Sequence, residues 1–116
     1  TLPKRDSEVI AWSGLQLDTE RRFLRWHAHQ VPFTPKQAEL MQAFLQTPET
    51  LLSRAYLMQE IWGTDYLGDT RTLDVHIHWL RKGLKTLQAP FALKTHRGKG
   101  YRLIKLASQN SNERDE

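Results

Sequence analysis

The chain has 116 residues, 39% of them hydrophobic, with 17 Lys or Arg against 13 Asp or Glu. That length fits one domain, the hydrophobic content excludes a fully disordered chain, and no apolar run reaches the roughly 18 residues of a membrane helix. The polar start at Thr1 lacks the apolar segment of a signal peptide, and the absence of cysteine excludes disulfides and thiolate chemistry. We therefore expect a cytoplasmic protein and, from the start without Met, a piece of a longer chain.

The first third of the chain predicts a small antiparallel sheet. Four short strand-like stretches lie at residues 9–12, 15–17, 21–26 and 31–33, and in the third of them Arg and apolar residues are mixed. Ser13-Gly14 is a turn signal between the first two, and polar breaks at 18–20 and 27–30 separate the others. Pro32 is expected at a strand end, where its missing N–H costs least.

Two helices are predicted next. Thr34-Pro35-Lys36-Gln37 places a hydroxyl at the N-cap, proline at the first helical position and Gln at the third, which is a capping box. Apolar residues recur at helical spacing over 38–45, and Thr47-Pro48 ends this helix. A second helix is predicted to start at Ser53 and to stop at Gly63, since glycine readily adopts positive φ.

The longest periodic element is a helix predicted over residues 71–85. Its apolar stripe, at i, i+4, i+7 and i+11, consists of Leu73, Ile77, Leu80 and Leu84. The opposite side carries Arg71, Val75, His78 and Lys82, with Asp74, Trp79 and Lys85 on its flanks and His76 and Arg81 nearer the stripe. The helix thus presents cations, imidazoles and an indole outward, although Trp79 could instead pack on the hairpin or on the first helix.

A hairpin ends the predicted domain. Residues 91–96 alternate in polarity, residues 101–105 supply the return strand, and Arg97-Gly98-Lys99-Gly100 forms the turn between them. The turn opens no helix, so it is a weak match to the phosphate-binding loop of a nucleotide enzyme. A cationic hairpin tip can enter the narrow minor groove of DNA, and the alternative is a plain solvent-exposed turn.

The basic residues are concentrated in this helix and hairpin. Residues 71–105 hold nine Lys or Arg and one acidic residue, whereas residues 38–70 hold one Arg and five Asp or Glu. Such a concentration favours a nucleic-acid partner over an ordinary solvated surface. An α-helix fits the major groove of B-DNA, where Arg pairs with guanine and Val meets the thymine methyl, while cations at the rim neutralise phosphates.

Several separated motifs occur in a consistent order: the capped helix, then LSR at 52–54, IWG at 61–63, RTLDVHI at 71–77, LRK at 80–82 and THRGKGYRL at 95–103. Over roughly residues 8–105 they resemble the winged-helix effector domain of OmpR/PhoB-type bacterial response regulators. The resemblance implies an α+β winged helix-turn-helix fold with an N-terminal antiparallel sheet, a three-helix core and a C-terminal β-hairpin wing. Residues 8–106 would form this domain, residues 1–7 a linker remnant and residues 107–116 a polar, disordered tail.

The function implied by the resemblance is sequence-specific double-stranded DNA binding by the output domain of a bacterial two-component response regulator that controls transcription. The third helix would be the recognition helix in the major groove, and Arg97 of the wing would reach the minor groove. The resemblance also implies two protomers on repeated half-sites, an upstream receiver domain with a phosphorylated Asp, and no cofactor. The expected DNA contacts are Arg71, Thr72, Val75, His76, His78, Trp79, Arg81, Lys82, Lys85, Arg97, Lys99 and Arg102. At the position of His78 relatives often have Arg or Ser, and at the position of Trp79 they often have Arg. Asp74 is expected to orient neighbouring Arg side chains.

The loop after the second helix resembles the segment that relatives use to contact RNA polymerase. Its residues are Gly63, Thr64, Asp65, Tyr66, Leu67 and Gly68. Its composition alone does not indicate that role.

Two other functional classes can be weighed against DNA binding. A metal-dependent enzyme could use His27 with His29, or His76 with His78, but residues two apart share a face on a strand and not on a helix. The first pair lacks an accompanying cluster of Asp or Glu, and no nucleophile elbow, carboxylate pair or P-loop occurs, so no metal site or catalysis is expected. A protein-interaction module using Trp79 and the loop at 63–70 is the stronger rival, and salt dependence of binding would separate it from DNA binding.

Overall fold

The computed structural model describes residues 9–63 and 71–106. The predicted linker at 1–7, the predicted tail at 107–116 and the loop residues Thr64, Asp65, Tyr66, Leu67 and Gly68 lie outside those ranges. Within them, no helix is long and apolar enough to cross a membrane.

The N-terminal sheet is confirmed as four antiparallel strands in sequential order. They are β1 (Val9–Trp12), β2 (Leu15–Asp18), β3 (Phe23–Trp26) and β4 (His29–Pro32). Pro32 ends β4 as predicted. Several predicted boundaries were wrong. β2 includes Asp18, which pairs with Phe23, and β4 ends before Phe33. β3 begins at Phe23 because Arg22 adopts a left-handed turn conformation with φ 60°, and the break at 27–30 is shorter because His29 and Gln30 already pair with β3.

Local capping signals set the helices. These are α1 (Pro35–Gln46), α2 (Arg54–Leu57), which continues as a π-helical segment over Met58–Trp62, and α3 (Arg71–Leu87). The Thr34 hydroxyl accepts from the Gln37 N–H at 3.2 Å, and the Gln37 side chain accepts from the Thr34 N–H at 3.0 Å, which confirms the capping box. The Ser53 hydroxyl caps α2 with a single bond, accepting from the Tyr56 N–H at 3.0 Å. Gly63 ends the π-helical segment at φ 72°.

The C-terminal sheet has the strand order β5-β7-β6. Its strands are β5 (Leu52–Ser53), β6 (Phe91–His96) and β7 (Gly100–Lys105). We call β6, β7 and their turn the wing. Gly100, predicted to lie in the turn, is instead the first residue of β7 and lies against the Leu52 carbonyl, where a Cβ would collide. This close approach anchors the wing to β5.

One hydrophobic core joins the two sheets through the helices. α1 contacts β1 and β7, and α3 contacts β4 and β6. The predicted stripe of α3 is buried throughout, and the helix runs two residues past its predicted end because Leu87 is also apolar and buried. Trp12 and Trp26 pack on the ring of Phe91 with centroids 5.3 and 5.4 Å apart, which ties the N-terminal sheet to the base of the wing. Burial of one side of α3 leaves its opposite side exposed.

Candidate nucleic-acid interface

The outer face of α3 consists of exposed residues, as the periodicity predicted. They are Arg71, Thr72, Val75, His78, Trp79, Lys82 and Lys85. Val75 and Trp79 are large apolar side chains that remain 50% and 43% exposed. With its side chains an α-helix is about 10–12 Å across, which matches the roughly 12 Å width of the major groove of B-DNA. The face therefore has both the shape and the mixed polar and apolar character needed to read base edges.

The tip of the wing carries two exposed cations. Arg97 and Lys99 flank Gly98, whose φ of 74° allows the tight turn. The Lys99 N–H donates to the His96 carbonyl at 2.8 Å and closes this turn. Because the turn ends an ordered two-stranded ribbon, the cations project from a defined position rather than from a loose loop.

Arg81 is turned towards the wing rather than outward. Its Nε and Nη2 donate to the Leu93 carbonyl at 3.0 and 2.6 Å, and Nη2 also donates to Thr95 Oγ1 at 2.7 Å. The planar guanidinium thus bridges α3 and β6. Arg81 is a predicted DNA contact, and its bridge to β6 was not predicted from the sequence.

His76 is likewise engaged with the protein. Its Nδ1 lies 2.8 Å from the Thr72 carbonyl, and since a carbonyl only accepts, Nδ1 must carry the proton. Its ring packs edge-on against Trp62 with centroids 5.1 Å apart. His78 instead contacts the neighbouring Trp79 ring at 5.5 Å. The two histidines therefore do not converge on a common point.

The structure also gives the surroundings of the histidines considered as metal ligands. No group of three or more His, Asp or Glu that could hold a metal ion occurs within residues 9–63 and 71–106. His27 lies in the turn after β3, where it packs on Trp26 with ring centroids 4.2 Å apart, whereas His29 lies in β4.

Asp74 forms a compact polar cluster with two residues that the sequence analysis did not select. Asp74 Oδ1 lies 2.8 Å from Arg54 Nη1 and accepts from the Tyr101 hydroxyl at 2.7 Å. Arg54 Nη1 also donates to that hydroxyl at 2.9 Å. The one sequence signal for this cluster was an isolated acidic residue in a basic stretch. The expectation that Asp74 orients an Arg fits its pairing with Arg54, although that Arg comes from α2.

The cluster shifts the pKa of each member. The hydrogen bond from Arg54 lowers the pKa of Asp74, and the same bond raises the pKa of Arg54. Burial raises the pKa of the Tyr101 phenol, reinforced by its hydrogen bond to Asp74. Asp74 is therefore ionised at neutral pH, and its charge is compensated by Arg54 instead of opposing a nearby polyanion.

Trp79 lies on the side of α3 away from the wing. Lys82 Nζ is 5.3 Å from its ring centroid. The indole lines a shallow groove of about 150 Å³ together with Val31, Phe33 and Gln37. Of the two packing alternatives raised by the sequence, the structure therefore favours the side of β4 and the first helix, yet leaves 43% of Trp79 exposed.

Arg102 lies apart from the other predicted phosphate contacts. Its neighbours Tyr101 and Leu103 are buried towards the helices, so the alternation of β7 directs Arg102 to the opposite face of the wing. There it is half-buried, opposite Lys94 in the strand register. Lys82, Lys85 and Lys99 are exposed by contrast.

Residues 28–103 match the protein family described as "Transcriptional regulatory protein, C terminal". The chain belongs to this family. The predicted resemblance to OmpR/PhoB-type effector domains is confirmed, and the family is one of transcription regulators rather than enzymes.

Curated relatives are longer than this chain. The chain is 36% identical over 102 residues to the alkaline phosphatase synthesis transcriptional regulatory protein SphR of Synechococcus elongatus. That match covers 87% of this chain and 40% of SphR. The chain thus spans about two fifths of the length of this family member.

Solved structures confirm the winged-helix fold. The DNA-binding domain of CpxR from E. coli superposes with a TM-score of 0.69 at 27% identity, covering 87% of this chain and 100% of that one. The Klebsiella pneumoniae RstA DNA-binding domain, solved in complex with the RstA box, gives a TM-score of 0.70 at 25% identity, covering 84% and 97%.

Proposed function

We propose that this chain is the sequence-specific, double-stranded DNA-binding output domain of a bacterial two-component response regulator that controls transcription. In this proposal α3 docks in the major groove and Arg97, at the tip of the wing, reaches into the adjacent minor groove. The observation that carries it is that the outer face of α3 and the wing tip both present exposed cations. The complex of the similar RstA domain with the RstA box supports it.

Charge supports a polyanionic ligand over a protein partner. Residues 71–105 hold nine Lys or Arg and only Asp74 as an acid, and Asp74 is already paired with Arg54 at 2.8 Å. A protein-interaction surface needs no such excess of one sign. Each phosphate that the domain neutralises releases counterions, which makes DNA affinity fall steeply with salt.

The proposed contacts divide into two groups by position. Arg71, Thr72, Val75, His78 and Trp79 face the floor of the major groove, and Lys82, Lys85 and Lys99 contact phosphates. Arg102 is proposed as a weaker phosphate contact, because it is half-buried on the opposite face of the wing. His76 and Arg81 complete the set at the edges of α3. Since their polar groups already bond to the protein, we expect them to contribute less to affinity than the outward residues.

The wider assembly is proposed from the family. An upstream receiver domain, phosphorylated on an Asp, would promote binding of two protomers to repeated half-sites, and residues 63–68 would contact RNA polymerase. SphR, which is more than twice as long as the matched region, has room for such a second domain. The domain itself would span residues 8–106, and action on bacterial DNA requires a cytoplasmic location.

Selection from random duplex DNA tests the function directly. The enriched site is then titrated with the chain at several salt concentrations between about 50 and 200 mM. An enriched motif with repeated half-sites and a steep salt slope supports the proposal. Salt-dependent binding without a motif would contradict sequence specificity in this chain, and no binding at the lowest salt would overturn the proposal in favour of a protein-interaction module.

A further inference from the structure

Four side chains form a continuous polar cluster between α3 and the wing. We call it the Tyr101 clamp; its members are Arg54, Asp74, Arg81 and Tyr101. Two guanidinium groups lie near the ring of Tyr101, with Arg54 Cζ at 5.7 Å and Arg81 Cζ at 5.8 Å from its centroid. The hydroxyl of the same residue bonds to Asp74 and Arg54 at 2.7 and 2.9 Å. One residue of the wing is thus held by both its ring and its hydroxyl.

The Tyr101 clamp contacts both strands of the wing at one position of their register. Thr95 and Tyr101 are directly opposite each other in the β6-β7 register. Arg81 of α3 bonds to Thr95 Oγ1 at 2.7 Å on one strand, while Asp74 of α3 accepts from Tyr101 at 2.7 Å on the other. Between this pair and the turn at the wing tip, the register contains one further pair, His96 and Gly100. These are the side-chain contacts from α3 to the wing that lie nearest to Arg97 among the described residues, and on the β5 side the Arg54 N–H donates to the Lys99 carbonyl at 3.4 Å.

Hydrogen bonds between α3 and the wing define their relative orientation more strictly than apolar packing does. Burial of apolar surface is favourable in many relative orientations because the hydrophobic effect is non-directional. Charge-assisted hydrogen bonds and a planar guanidinium fork require defined distances and angles. The buried residues at the base of the wing hold it to the core, and β5 pairs with β7 as far as Gly100. Side-chain hydrogen bonds from α3 can in addition define the angle between the wing and α3.

We infer that the Tyr101 clamp sets the position of the wing relative to α3, so that Arg97 and the outer face of α3 engage adjacent grooves together. Arg54, Asp74, Arg81 and Tyr101 are then positioning residues for DNA recognition. The inference rests on the proposed DNA-binding function. In this inference Arg81 acts mainly through its contacts with Thr95 and Tyr101 and not by contacting DNA directly.

A double-mutant cycle on the enriched DNA site tests this role. Tyr101→Phe removes the hydroxyl and keeps the ring in the core. In the parent, Arg97→Ala is expected to weaken binding about tenfold, in the range of a lost specific contact. In the Tyr101→Phe background the same change should cost no more than about threefold, because a wing that is no longer held loses most of its contact already. A residue with a purely structural role would leave the cost of Arg97→Ala unchanged.

Lys85→Ala is the matched control. Lys85 is an exposed cation of α3 outside the wing, so its loss should cost the same in both backgrounds. If Tyr101→Phe fails to unfold cooperatively, the cycle is run with Thr95→Val, which removes the hydroxyl bonded by Arg81 and keeps a β-branched residue in the strand.

The outcomes separate the clamp from the function. An equal cost of Arg97→Ala in both backgrounds, with the parent bound to its site, overturns the clamp and leaves DNA binding intact. A parent that enriches no site overturns the proposed function and the clamp with it. If Arg97→Ala does not weaken DNA binding in the parent background, the wing assignment is wrong, and the proposed role of the clamp is overturned with it.

Discussion

Asp74, the one acidic residue between positions 71 and 105, lies 2.8 Å from Arg54. The pair links the start of α2 to the first turn of α3. It keeps an uncompensated negative charge off the face that we propose for DNA. The same pairing gives the stability of the domain a defined dependence on pH.

Asp74→Asn should lower the free energy of unfolding at pH 7 and have a smaller effect in acid. The Arg54 hydrogen bond lowers the pKa of Asp74 below its ordinary value of 3.8. A carboxylate with a lowered pKa adds stability above its unfolded pKa, and that stability is lost as the pH falls through the folded pKa. The loss at pH 7 should stay within about 1 kcal/mol, because the Asp74 side chain is 48% exposed.

Urea denaturation of parent and variant at about pH 7 and about pH 3 measures this difference. The gap between the two proteins should narrow in acid. A gap of equal size at both values would show that the ionised carboxylate contributes nothing through Arg54.

Arg97→Ala should weaken DNA binding and leave folding unchanged. Arg97 is exposed at the wing tip, so its loss removes a cation from the minor groove without opening the core. We expect about a tenfold loss of affinity and a reduction of about 0.9 in the salt slope if the contact includes a phosphate. Arg25→Ala, which removes an exposed cation from β3 of the N-terminal sheet, is the control. Binding of the Arg97 variant as tight as that of the parent would show that the wing assignment is wrong.

The half-site should contain thymines read by Val75 and Trp79. These exposed apolar side chains are one turn apart on α3, about 6 Å along its axis, which spans roughly two base-pair steps of 3.4 Å. Replacing the contacted thymine by deoxyuracil removes only its methyl group. Loss of one buried methyl, about 0.8 kcal/mol, corresponds to roughly fourfold weaker binding.

Titration of thymine and deoxyuracil duplexes with the parent, Val75→Ala and Trp79→Ala measures the effect. The parent should discriminate between the two duplexes, and each variant should lose discrimination at its own position. Deoxyuracil placed outside the half-sites is the control. Equal binding of both duplexes by the parent would contradict methyl recognition.

Gly100→Ala should destabilise the domain. The added Cβ would meet the Leu52 carbonyl, a backbone atom that cannot move without shifting β5. Overpacking of this kind typically costs about 1–3 kcal/mol. Gly98→Asn is the matched control, since the Gly98 position is open and Asn tolerates a positive φ.

Thermal and urea unfolding of both glycine variants checks this prediction. The Gly98 variant should unfold close to the parent and the Gly100 variant clearly earlier. A Gly100 variant as stable as the parent would mean that the wing is not anchored by this close approach.

The sequence by itself determined the elements of the fold and the location of positive charge. The Thr34 capping box, the stop at Gly63 and the buried stripe of α3 were all predicted, because capping bonds and helical periodicity join residues three or four positions apart. Family motifs then determined the order and the winged-helix topology. The concentration of cations in residues 71–105 is evident from the residue counts alone.

Only the tertiary structure decided which side chains meet across elements. Asp74 and Tyr101 are 27 positions apart, and Arg54 and Tyr101 are 47 apart. Neither pair leaves a periodic signal, so the bonds exist only once α2, α3 and β7 pack together. The same packing turns Arg81 towards the wing and places Trp79 beside β4, since a helical wheel gives the direction of a side chain but not the neighbour that it meets.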